Sequence, residues 1–154
     1  MQQEWIRVKA VVVIEHQDQY LVEESFDSVK EQIFFMPFGG GVEFGESARE
    51  AVIREVKEEL SIDIPKPDLL TVIENRFHFE GKPGHEIVFV FTVRLEESFD
   101  RSIIVPEILN GRPLKLAWLT ADDIATTESP VYPEGFVDAF ASYYTKSITS
   151  LAHG

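Results

Sequence analysis

The residues of this chain best suited to chemistry lie between Gly39 and Ile62, in the string GGGVEFGESAREAVIREVKEELSI. The spacing predicts a helix from Ser47 to Leu60, with Ser47 and Glu50 placed as a capping box. On that helix Glu55, Glu58 and Glu59 border the apolar stripe of Val52, Ile53, Val56 and Leu60 and face partly inward. Arg54 stands four residues from both Glu50 and Glu58, within reach of each. Glu55 and Glu59 have no cation at helical spacing, and like charges one turn apart repel, the more so beside an apolar face. Neutralisation must come from outside the helix. Hard oxygen ligands clustered in this way suit Mg2+ or Mn2+, and a Lys or Arg from another element is the competing explanation.

Gly39, Gly40 and Gly41, just before the helix, point the same way. Each glycine weakens a strand or helix interior by up to ~1 kcal/mol, so a run of them is expected where backbone turns sharply or approaches a ligand closely. Their amides and carbonyls are placed beside the helix start, where phosphate oxygens or a metal would sit. A plain turn needs a single glycine.

The elements that must hold this segment are legible around it. Ile6–Ile14, apolar without a break over Ala10–Ile14, reads as a strand covered on both faces, and Tyr20–Glu23 as its hairpin partner. Phe34–Phe38 is short, aromatic and extended. Leu69–Phe79 and Ile87–Leu95 read as strands joined by a loop, Glu80-Gly81-Lys82-Pro83-Gly84. Glu96–Pro106 is polar and irregular, and Leu114–Leu119 is a further strand. Ala121–Thr127 reads as a short helix and Pro133–Ile148 as a longer one, with Phe136, Ala139, Phe140 and Tyr143 at helical spacing. Strands before, between and after helices predict an α/β fold, a mixed sheet with helices packed on it.

With 154 residues and 44% apolar content the chain can bury a core, and a single domain over 1–154 is expected. It has no Cys, which excludes disulfides, thiolate metal sites and a cysteine nucleophile. Acidic residues outnumber basic ones 27 to 14, a formal charge of −13. That field opposes a nucleic-acid polymer or an anionic membrane as partner. Met1–Glu4 lacks a cationic leader and Ala10–Ile14 is too short to span a bilayer, so a cytoplasmic location is expected.

Gly40, five residues, Glu46, seven residues, then Arg54-Glu55-Val56-Lys57-Glu58-Glu59-Leu60-Ser61-Ile62 resembles the Nudix box at every defined position except one, where the box has Gly and this chain Ser61. Gly84-His85-Glu86 before a buried strand and the late Trp118 strand extend the likeness. Gly-Gly-Gly-Val-Glu-Phe-Gly-Glu resembles the subset called ADP-ribose pyrophosphatase-like. The resemblance implies an α/β/α sandwich around a mixed sheet. It also implies a Mg2+- or Mn2+-dependent pyrophosphohydrolase of a nucleoside diphosphate linked to another moiety, such as ADP-ribose. Glu55 and Glu59 would be the principal metal ligands, with Glu58 direct or through water and the Gly39 carbonyl as backbone ligand. Arg54 would hold the glutamates, with Glu46 in a structural role. Glycine at position 61 would take the left-handed conformation that ends a helix, and Ser there costs about 1 kcal/mol.

A carboxylate must orient or deprotonate the attacking water. Glu58 is a candidate, as are Glu96, Glu97 and Glu107 beyond the box, with Glu107 favoured. The substrate is a small nucleotide, for which Gly40, Gly41, Arg7 and Phe38 are candidate contacts. Phe34 and Phe35 join Phe38 as rings able to stack on a base, although strand aromatics more often fill a core. Lys9 and Arg76 are further phosphate candidates; His78 and His85 are read as structural. A homodimer is compatible with the sequence. A nucleotide-sensing module without turnover and an acidic protein-docking domain are the competing functions, told apart by Mg2+-dependent release of phosphate or nucleotide.

Overall fold

A computed structural model describes residues 4–152, so Met1–Gln3 of the leader reading lie outside the described residues. The strand expected at Ile6–Ile14 is β1, Arg7–His16, and its hairpin partner is β2, Gln19–Asp27. Both run longer than expected because charged residues such as Glu15 and Glu24 continue the ladder, which hydropathy alone does not register. Pro37, which cannot donate to a ladder, divides the aromatic segment into β3, Gln32–Met36, and β4, Phe38–Gly41. The glycine run thus lies in a strand, against expectation, with Gly41, Gly40 and Gly39 opposite Lys9, Ala10 and Val11 of β1.

Helix α1 spans Ala48–Leu60. The Ser47 hydroxyl accepts from the Glu50 amide at 3.0 Å, which is half of the expected capping box. Ser61 ends the helix at φ 60, ψ 29, with its N–H donating to the Lys57 carbonyl at 3.0 Å. Strands β5, Asp68–Phe79, and β6, Lys82–Arg94, form a long hairpin whose turn shrinks to Glu80-Gly81. The irregular stretch holds a short 3-10 turn at Arg101–Ile103. It is followed by a hairpin that the sequence reading missed, β7 Ile108–Leu109 and β8 Arg112–Pro113, whose strands are too short to show periodicity. Then come β9, Lys115–Leu119, and two helices, α2, Ala121–Thr126, and α3, Phe136–Ala152.

The main sheet runs β3-β2-β1-β6-β5, with β4 paired to β1 and β9 to β2. The β1–β6 pair is parallel and the other pairs antiparallel, so the sheet is mixed. Successive β1 residues face opposite sides, as a pleat requires. Ala10, Val12 and Ile14 pack with Phe38 against Val52, Val56 and Leu60 of α1. Val11 and Val13 pack with Val88 and Val90 beneath Ile124 of α2 and Phe136 and Phe140 of α3. Full burial of each such side chain stabilises the fold by about 1.5–3 kcal/mol. The result is an α/β/α sandwich. Among the described residues no helix is long and apolar enough to cross a membrane.

Candidate active site

Strand β4 and helix α1 lie against each other, and their approach is permitted by glycine. A Cβ on Gly40 would stand 2.5 Å from the Glu55 carboxyl carbon, and one on Gly39 would overlap the Ala10 carbonyl. The Gly39 amide instead donates to the Glu59 carboxylate at 2.9 Å. Glu55 and Glu59 are thus aligned along the glycine strand, one helical turn apart.

The expectation that Glu55 lacks a cation is corrected. The Arg54 guanidinium bends back along the helix and donates to Glu55 at 2.9 Å, a contact that helical spacing rules do not register because adjacent residues diverge. Arg54 also binds Glu46 at 2.6 Å and the Gly41 carbonyl at 3.1 Å, and reaches Glu58 at 3.4 Å. Glu46 in turn accepts from the Glu43 amide at 2.9 Å, fixing the loop between β4 and α1. The Arg54 guanidinium holds the Glu46 carboxyl below the usual range, and Arg54 itself is raised.

Among the described residues Glu59 has no cation against it. Burial, followed by the charges of Glu23, Glu55 and Glu107, pushes its pKa up to about 8 against the lowering hydrogen bond from Gly39. Glu23, on the α1 side of β2, was missed by the sequence reading, which ended the strand there and gave it no role. Its own pKa is raised, burial outweighing Lys9. Glu107 reaches the cluster because its amide donates to the Glu59 carbonyl at 2.7 Å, while the neighbouring Val105 amide binds the Leu60 carbonyl at 3.0 Å. The other end of that loop is clasped by buried His16. Arg101 donates to its Nδ1 at 2.8 Å and lies 3.8 Å from the Trp118 ring centroid. Glu97 meets His16 through its carbonyl, and neither Glu96 nor Glu97 is among the groups acting on Glu59.

Hard oxygens, a like-charged cluster and a half-buried acid without a counter-charge among the described residues form a donor set that fits Mg2+ or Mn2+. Among the described residues no three His, Asp or Glu side chains already converge on one point. Glu55 is engaged by Arg54 and Glu58 is half exposed.

The opposite face of the same strands bears a cavity of about 240 Å³. Gly41 marks the crossing, since a Cβ there would stand 3.0 Å from the Arg7 guanidinium. Arg7, Lys9 and Phe34 line the cavity, together with Asn75, Phe77 and Glu86, of which the last three carried no role in the sequence reading. Phe77 lies over Gly84, where a side chain would overlap its ring. Phe38 is corrected: it is 1% exposed in the α1-side core and is unavailable for stacking. Phe35 packs into the core beneath α3, and Arg76 is exposed and not among the cavity residues.

A family model described as the NUDIX domain matches residues 5–139. The chain belongs to the Nudix family. Membership makes this Nudix protein a hydrolase acting on a pyrophosphate bond. Its fold is similar to a MutT protein from Methanosarcina mazei Go1, at 21% identity and TM-score 0.66 over 96% of this chain and 99% of that one. It is similar to a NUDIX hydrolase from Nitrosomonas europaea, at 20% identity and TM-score 0.64 over 92% and 90% of the two chains. A structure titled an ADP compounds hydrolase matches at 15% identity and TM-score 0.65, covering 94% of this chain and 76% of that one.

Proposed function

We propose that the protein cleaves a nucleoside diphosphate linked to another moiety, ADP-ribose being one compound of this class, by in-line attack of water on phosphorus. The observation that carries this reading is Glu59, an α1 acid whose carboxylate is held against the glycine strand by the Gly39 amide, close to the charges of Glu23, Glu55 and Glu107 and, among the described residues, with no cation of its own. Glu55 and Glu59 would hold Mg2+ or Mn2+, with Glu58 and the Gly39 carbonyl completing the set. When bound, the ion lowers the pKa of water and offsets the charge of the diphosphate. Arg54 keeps Glu55 and Glu58 from splaying apart and ties both to the loop through Glu46. Glu107 orients the water and takes its proton; its backbone anchor beside Glu59 favours it over Glu58 for this work. Arg7 contacts the substrate where β4 separates the acidic row from the cavity.

Hydrolysis with Mg2+ in oxygen-18 water tests the proposal. Label on a phosphate product is expected, with a nucleoside monophosphate released. Label confined to a sugar carbon, or no turnover of any diphosphate-linked nucleotide, would overturn it.

A further inference from the structure

Three side chains line up across three strands on the cavity side. Arg7 of β1 is in register with Glu86 of β6, and Glu86 is in register with Asn75 of β5. Directly paired residues share a sheet face, and all three line the cavity. Glu86 and Asn75 form its floor, at 8% and 7% exposure, while Arg7 stands exposed at the mouth. Lys9 touches one Glu86 carboxylate oxygen loosely, at 3.7 Å. Among the described residues neither Glu86 nor Asn75 has a polar atom sealed away without a partner, and both line the cavity. The aromatic side is supplied by Phe34, set edge-on to Phe79 at 5.8 Å and to Tyr132 at 5.5 Å. A carboxylate and an amide beneath aromatic walls describe a receptor for a flat ring with a polar edge.

We propose that this row selects the base of the substrate by its middle edge position. The inference rests on the hydrolase reading only in treating the cavity's occupant as part of the substrate. The middle group of the row is a carboxylate, which accepts hydrogen bonds and cannot donate them. The ring position facing it must therefore be an N–H. Guanine, hypoxanthine, uracil and thymine present an N–H there, with a carbonyl beside it to accept from the cation. Adenine and cytosine present a bare ring nitrogen, whose lone pair would oppose the carboxylate. Asn75 turns its NH2 or its carbonyl inward according to what the third position offers. A buried polar group left unpaired is the strongest discriminator between similar ligands, so the preference falls on lactam bases. Adenine-containing compounds, ADP-ribose among them, become the poorer substrates of the class.

The test measures binding and turnover separately. GMP, IMP and UMP, then AMP and CMP, are titrated into the metal-free protein by calorimetry. kcat/KM is measured with Mg2+ on the matched diphosphate-linked nucleotides. Lactam bases should bind and react about tenfold better or more. Glu86→Gln should shrink that ratio to about threefold or less, because the new amide can donate to a ring nitrogen. Asn75→Ala should weaken GMP and UMP without raising AMP. Equal binding of AMP and GMP by the wild type, or an unchanged ratio in Glu86→Gln, overturns the inference. A base preference in binding without turnover upholds it and sinks the hydrolase reading; turnover without base preference does the reverse.

Discussion

The amide of Glu107 donates to the carbonyl of Glu59 at 2.7 Å, so a residue from a distant loop is fastened to the last turn of the helix that carries the acidic row. That bond satisfies one of the carbonyls a helix leaves open at its C-terminus and brings another carboxylate to bear on Glu59. Burial raises the pKa of Glu59 first, and such approaches add to it.

The first prediction concerns pH and metal. The Glu59 pKa rises from an ordinary value of 4.5 to about 8 on folding. Between those values the folded protein keeps a proton that the unfolded chain has released. Stability without metal is therefore full below pH ~4.5 and falls as pH climbs towards ~8. Glu59→Gln should remove this slope and stabilise the metal-free protein at pH 7 by on the order of 1–3 kcal/mol. Mg2+ at a hundredfold excess over its dissociation constant should stabilise the wild type by roughly 2.7 kcal/mol and the variant by much less. Thermal melts with chelator and with Mg2+ check both. Equal metal shifts in the two proteins would remove Glu59 from the ligand set.

The second prediction concerns Ser61, whose φ of 60 lies in the left-handed region. Ser61→Gly should stabilise the protein by up to ~1 kcal/mol and leave turnover unchanged, read from denaturant midpoints and an activity assay. A loss of stability would mean that the Ser61 side chain contributes more than its backbone strain withdraws.

The third prediction concerns the approach of β4 to α1. Gly40→Ala places a methyl group against the Glu55 carboxylate, a flexible end that can swing aside. The fold should survive with stability changed by less than ~1 kcal/mol, while kcat falls on the order of 100-fold through misplacement of Glu55. Full activity would show that Glu55 need not lie against the strand.

Much of this was legible in the sequence where periodicity and spacing carry the signal. The stripe Val52, Val56, Leu60 and the Ser47 cap located α1, and the unbroken run Ala10–Ile14 located the central strand. The glycine run was misread as loop because propensity counts the weakness of glycine in a strand and not the contacts a missing Cβ allows. Phe38 drew attention by type and position, yet its alternation with Gly39 turns it into the core. Glu23 and Asn75 left no local mark, and Glu86 entered only as part of Gly84-His85-Glu86, without a role. Each is a polar residue in an otherwise ordinary strand, and their meaning arises from cross-strand register, which pairs residues far apart in the chain. The contact of Arg54 with Glu55 was hidden for a different reason, the length of an arginine side chain.

The pleat of β1 and β4 has a consequence for how such a protein changes over generations. Ala10 and Gly40 belong to the side of the acidic row, whereas Lys9 and Gly41 belong to the side that holds the cavity. Two inheritances are interleaved in alternate letters of the same short words. Substitutions at one parity can reshape the cavity while the other parity keeps the acidic row in place. Deleting a single residue within either strand would exchange the two sets, so drift here can proceed by replacement and not by insertion or loss.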